Sequence, residues 1–380
     1  MEKRNIAIAL PSLGEEEWLA CKEPIESGWV TQGPKVAEFE KRFAELHGVQ
    51  HALAVTSCTT GLHLALAALG IGPGDEVIVP AFTWVATANV VLYCGATPVF
   101  VDVDRKTFNL DPGQLAAKVT SRTKAVIPVH LFGLCADMDA IRAVLPKHVK
   151  IVEDAACAAG AQYKGQWAGG LGDVAAFSFH PRKSITTGEG GMVTTNDGVL
   201  AEVMGQLRNH GASVSEEQRH RGPKPYILPD FNLLGFNYRM TDLQGAVGLV
   251  QLPKLNRLIE ERAKWGAYYR QHLSGLEWLS LPEEPADGRH GWQAFVTYVD
   301  PEKAPMSRND LMEYLQEKGI STRPGTHAVH MLNYYIERFS IKPDDYPGAR
   351  DCNDHSMAIP LHNRMDEEDY DYVVQALRTA

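Results

Sequence analysis

From Pro34 to about Thr195 the sequence alternates short apolar runs with stretches of helical periodicity, which restricts the chain to one broad class of fold. The apolar runs are His51–Thr56, Glu76–Pro80, Thr97–Val103, Lys124–His130, Lys150–Glu153, Val174–Phe179 and Met192–Thr195. Helical segments lie between most of them, at Leu62–Leu69, Trp84–Tyr93, Asp111–Val119 and Asp137–Leu145. This βαβ alternation predicts an α/β fold, a mostly parallel sheet covered by helices on both faces. Ahead of it, Pro34-Lys35-Val36 opens an amphipathic helix with Val36, Phe39, Phe43 and Leu46 on one stripe, stopped at Gly48.

The length of 380 residues suits two domains. A long helical pattern from Leu243 to Leu273, broken at Pro253, reads as the connection from a large domain (1–250) into a smaller C-terminal one (251–380). The polar stretch Ala212–Pro229 reads as a surface insertion or a lid. Net charge is -10 with no dense Lys/Arg run, which argues against a nucleic-acid surface. No stretch approaches the roughly 20 apolar residues that span a bilayer. The apolar part of Met1–Leu10 is too short for a secretory signal. Cys21, Cys58, Cys94, Cys135, Cys157 and Cys352 lack zinc spacing and read as reduced thiols, so a cytoplasmic protein without a metal is expected.

Three segments carry chemistry. Val55-Thr56-Ser57-Cys58-Thr59-Thr60-Gly61-Leu62 turns from a strand into an apolar helix through small hydroxylated residues. Free N–H groups at that helix start suit a phosphate, although Ser and Thr serve equally as neutral N-caps. Ile151-Val152-Glu153-Asp154-Ala155-Ala156 ends a strand in carboxylates, at the sheet edge where open α/β folds bind ligands. A carboxylate there could keep a pyridine nitrogen protonated, or act only as a helix cap. In Phe177–Gly191, Lys183 stands between an aromatic strand and a loop with three glycines. A lysine partly desolvated near cations has a lowered pKa and can act as a nucleophile. His180 and Arg182 read equally as a strand-end histidine and an exposed arginine.

The order and wording of these segments resemble the sugar aminotransferases of fold type I, the DegT/StrS-like group. The resemblance covers Ser27–Pro34, Ser57–Leu64, Pro80–Gly95, Glu153–Ala161, Phe177–Met192, Gly235–Met240 and Ala358–Leu361. It implies an aspartate aminotransferase-like fold with a smaller α/β C-terminal domain, and pyridoxal 5'-phosphate as cofactor, passing through pyridoxamine 5'-phosphate. Lys183 would hold the cofactor as a Schiff base and later shuttle a proton. Asp154 would pair with the pyridine nitrogen, and Trp84 would stack on the ring. Backbone groups of Cys58 and Thr59, with the Ser178 hydroxyl, would hold the phosphate. Asn237 would reach it from a second subunit, which implies a homodimer. Arg239, His327 and His330 would lie on the substrate side. Cys157 stands where many relatives carry a glutamine bonded to the coenzyme's 3'-oxygen, and a thiol is a poorer donor.

The resemblance further implies transfer of an amino group from L-glutamate to a keto-sugar, in particular one linked to a nucleotide. Alternatives are a non-nucleotide keto-sugar or cyclitol as acceptor, sugar dehydration, or a PLP-binding regulator without turnover. Lys183 favours transamination, because dehydratases of this group replace that lysine with histidine.

Overall fold

In the computed structural model, which describes residues 3–213, 226 and 228–380, the seven apolar runs form a single sheet. Its strands are β1 (His51–Val55), β2 (Glu76–Pro80), β3 (Thr97–Val101), β4 (Thr123–Val126), β5 (Lys150–Asp154), β6 (Val174–Ser178) and β7 (Gly191–Thr195). They lie in the order β1-β7-β6-β5-β4-β2-β3. Neighbours from β3 to β6 pair in parallel, and β7 alone runs against the rest, antiparallel to both β6 and β1. Both faces are covered, which is why the strands read as continuous apolar runs. Val77 and Val79 enter one hydrophobic cluster and Ile78 the other.

Helix α1 (Pro34–His47) begins on Pro34 and ends at Gly48, whose φ of 62° is left-handed. It buries Val36, Phe39 and Phe43 against the sheet, with Leu46 half-buried at the margin. Helix α2 (Cys58–Ala68) packs on β6 and β7 from the opposite face, and α3 (Ala86–Tyr93) packs beside it. The long pattern near Pro253 divides into α4 (Asp242–Gln251) and α5 (Leu255–Leu273), joined by a 3₁₀ turn over Leu252–Lys254. Proline lacks the N–H that a continuous helix would need there.

Leu255, Leu258 and Ile259 of α5 pack in the second sheet cluster, whereas Trp265, Tyr269 and Leu273 enter a third. That third cluster lies around a small antiparallel sheet, β8 (Leu279–Ser280), β9 (Phe295–Val299) and β10 (Ser356–Ile359). Ile6 packs into it as well and bridges to Ile320. A two-residue antiparallel pair, Phe82–Thr83 with His327–Ala328, ties the segment after β2 to the C-terminal part of the chain. Most of Ala212–Pro229 lies outside the described residues. Among the described residues no helix is long and apolar enough to cross a membrane.

Candidate active site

The strand alternation of β5 sends its last two carboxylates to opposite faces. Glu153 is fully buried and accepts hydrogen bonds from the N–H groups of Gly169 (2.8 Å), Leu171 (2.7 Å) and Gly172 (2.6 Å). His130 completes the set through Nε2 at 2.9 Å, its Nδ1 taking the Ala136 N–H. Glu153 therefore anchors two loops beneath the sheet edge. Glu153→Ala should destabilise the protein by about 3–5 kcal/mol, because its removal leaves several buried donors without an acceptor. Urea unfolding checks this value.

Asp154 points the other way. Its Oδ2 accepts from the Thr87 hydroxyl at 2.8 Å and its Oδ1 from the Ala156 N–H at 3.2 Å, while Thr87 in turn meets the Thr83 hydroxyl at 2.9 Å. Burial pushes the Asp154 carboxyl above the usual carboxylate range, against the bonds from Thr87 and Ala156 and the field of Lys183. Among the described residues no basic side chain lies within ion-pair distance of it. Thr87 was not foreseen from the sequence. The available signal was a small polar residue in the first turn of the mostly apolar segment that became α3.

Helix α2 starts with Ser57 as N-cap, its hydroxyl taking the Thr60 N–H. The N–H groups of Cys58 and Thr59 then have no acceptor inside the helix. Gly191 brings this helix end close to β7: a Cβ there would lie 2.7 Å from the Cys58 nitrogen and 2.5 Å from the Ser57 carbonyl carbon. The Cys58 thiol donates to the Ala176 carbonyl at 3.3 Å and approaches Asp154 Oδ1 at 3.9 Å. Burial pushes that thiol well up.

Lys183 lies in the loop after β6, its N–H bonded to the His180 carbonyl at 2.9 Å. Its Nζ donates to the Cys157 sulfur at 3.2 Å. Here the structure corrects the expectation of a lowered pKa. Burial disfavours the ammonium, but Cys157, Cys58 and Asp154 outweigh burial and hold the amine above the ordinary lysine value. The groups nearest Nζ are sulfur and carboxylate, whereas the sequence had suggested cations.

Trp84 follows the Phe82–Thr83 pair and is 56% exposed, its ring edge-on to His327 at 5.4 Å. Ser178 is half-buried at the end of β6, its hydroxyl taking the His180 N–H at 3.4 Å. Asn237 is exposed and bridges to Asn209, whose side chain takes a bond from Arg239 Nη1 at 2.7 Å. His330 is fully buried, with Nε2 on the Pro343 carbonyl at 3.1 Å and its ring against Tyr346. The structure thus links Lys183, Cys157, Asp154 and Cys58 in one group and sets Trp84 beside His327. Arg239 and Asn237 form a third group through Asn209, and His330 sits in the core.

This arrangement fits a phosphorylated pyridine aldehyde. The helix end suits its phosphate, the buried carboxylate without a cation suits a protonated ring nitrogen, and the Lys183 amine suits its aldehyde carbon. Among the described residues no cluster of His, Cys, Asp and Glu could hold a metal ion.

Comparison with known proteins gives concordant results. The family model of the DegT/DnrJ/EryC1/StrS aminotransferases matches residues 11–378. Spore coat polysaccharide biosynthesis protein SpsC of Bacillus subtilis is 41% identical, over 100% of this chain and 98% of its own. Spr1654 of Streptococcus pneumoniae, assigned as a sugar aminotransferase, superimposes in its PMP form with a TM-score of 0.91 at 29% identity, covering 99% of this chain and 97% of that one. Its PLP form gives 0.90 at 30% identity, covering 99% and 98%. Helicobacter pylori PseC, an aminotransferase involved in the biosynthesis of pseudoaminic acid, gives 0.91 at 26% identity, covering 99% of each chain.

Proposed function

Since this chain belongs to the DegT/DnrJ/EryC1/StrS aminotransferase family, and is a PLP-dependent sugar aminotransferase, we propose that it moves an amino group from L-glutamate to a nucleotide-linked keto-sugar. The observation that carries the site assignment is the group Lys183–Cys157–Asp154–Cys58 gathered at the C-terminal edge of the parallel strands. When bound, pyridoxal phosphate supplies an aldehyde for an amine to bond and a ring that draws electrons from that bond.

The protein's own groups do the rest. Asp154 keeps the ring nitrogen protonated. The Cys58 and Thr59 N–H groups and the Ser178 hydroxyl hold the phosphate, and the Trp84 indole covers the ring. Lys183 would hold the aldehyde carbon of the bound coenzyme, and its Nζ, when free, would take up the proton from the donor's Cα and give it back. Arg239 and His327 serve the sugar side, whereas His330, expected there from the sequence, is buried against Tyr346 and is left out of it. The name of SpsC refers to polysaccharide biosynthesis and that of PseC to pseudoaminic acid, which supports a glycan precursor as the acceptor.

The second subunit is part of the proposal, with Asn237 of the partner subunit reaching the phosphate. In a single chain Leu234 is 94% exposed and Phe231 63%, close in sequence to Asn237, and such side chains favour cover by another surface. Six cysteines without a disulfide suit the cytoplasm.

The test is to add L-glutamate to PLP-loaded protein without acceptor. One equivalent of 2-oxoglutarate per subunit should appear as the visible band of the coenzyme fades. No 2-oxoglutarate would overturn the donor assignment and favour dehydration. Mixing inactive Lys183→Ala and Asn237→Ala proteins should regenerate activity, since each hybrid dimer then holds one intact site. Failure of both variants to complement would overturn the shared site.

A further inference from the structure

Resting on the assignment of Lys183 as the cofactor-binding amine, we propose that Cys157 is the acceptor on which Lys183 Nζ rests when that amine, not bonded to the coenzyme, carries a proton. The turn after β5 carries Cys157 to the lysine. The Ala158 N–H closes it on the Ala155 carbonyl at 2.9 Å, and the Ala156 N–H is held by Asp154. At 3.2 Å the Cys157 sulfur is a hydrogen-bond acceptor for Nζ, and among the described residues no carboxylate lies within ion-pair distance of that nitrogen.

The remaining charged and titratable groups facing the amine are placed differently. Cys58, from α2, spends its hydrogen on the Ala176 carbonyl. Asp154, from β5, is occupied by Thr87 and Ala156. From the lysine's own loop, His180 Nδ1 takes the Arg182 N–H, and Arg182 and Glu189 are exposed. Cys157 is thus the side chain on which the freed ammonium rests. Transamination needs such a resting place, because the amine must leave the coenzyme carbon, accept a proton and give it back without losing its position.

The consequence is measurable before any substrate is added. Bond formation between coenzyme-free protein and pyridoxal phosphate needs the unprotonated amine. The midpoint of its pH profile, followed by growth of the visible band, therefore reports the Lys183 proton. Losing a charge-assisted hydrogen bond should move that midpoint down by about one pH unit in Cys157→Ala, a tenfold change in the ratio of amine to ammonium. Cys157→Ser, whose oxygen can also accept, should retain most of the wild-type midpoint.

Circular dichroism reports that both variants are folded, and pyridoxamine phosphate, which makes no bond to Lys183, tests whether the sulfur serves the amine or the ring. An unshifted midpoint in Cys157→Ala, or a loss of pyridoxamine phosphate affinity in both folded variants, would overturn the inference, the latter by assigning the sulfur to the ring. A wild-type protein that forms no band, or a Lys183→Ala protein that forms the same band, removes the lysine assignment and the inference with it.

Discussion

Lys183→Ala should lower turnover by about 10²–10⁴-fold, the range expected when a positioned acid–base group is lost. It should do so while leaving the protein folded. Among the described residues Lys183 makes a single hydrogen bond through Nζ, to Cys157, and its backbone N–H, bonded to His180, survives the substitution. The coenzyme should still bind through Asp154 and the α2 terminus, but without the visible band of a lysine-bonded aldehyde. Absorbance and turnover read together therefore separate loss of binding from loss of chemistry. A variant that stays active with its band unchanged would exclude Lys183 from both roles.

Asp154→Asn should have opposite effects on stability and function. The folded-state pKa of Asp154 is raised, chiefly by burial. Such a group contributes its full stabilisation below its unfolded pKa and loses it as pH rises through the folded one. The coenzyme-free protein is thus destabilised as pH rises through that raised value, a loss that asparagine would not suffer. The variant should melt about 2–4 °C higher at neutral pH, with the gain vanishing toward about pH 4, where aspartic acid is itself protonated. The same substitution should weaken pyridoxal phosphate binding by about 10²–10³-fold, since a protonated ring nitrogen would be left buried without its counter-charge. Thermal unfolding across pH and coenzyme titration check the two halves. A coenzyme-free variant less stable than wild type at neutral pH would show that the carboxylate stabilises the empty site.

Much of this was legible in the residues, because strands buried on both faces leave continuous apolar runs and each run became a strand. The Pro34 start, the Gly48 stop and the break at Pro253 were legible for the same local reason, since proline and glycine act on backbone geometry wherever they stand. What depended on three-dimensional neighbours was not. Glu153 and Asp154 are adjacent in sequence, yet one anchors loops and the other faces the site. Nothing local announced the Thr87 bond to Asp154 or the pairing of Phe82–Thr83 with His327–Ala328 across more than 240 residues. The shift at Lys183 came out opposite in sign because its sequence neighbour Arg182 is exposed, while the sulfur and carboxylate that decide the shift arrive from other elements.

Gly191 bears on how such an enzyme can evolve. The atoms that would meet a side chain there belong to the backbone of Ser57 and Cys58, so no change of rotamer could make room. Drift is closed at the helix end, and any lineage descending from this chain inherits that spacing unaltered. Around Trp84 and His327 the side chains stand partly or wholly in the open, and replacements there displace no main chain. Selection for a new acceptor therefore has the side chains at Trp84 and His327 to work on, with the helix end held constant.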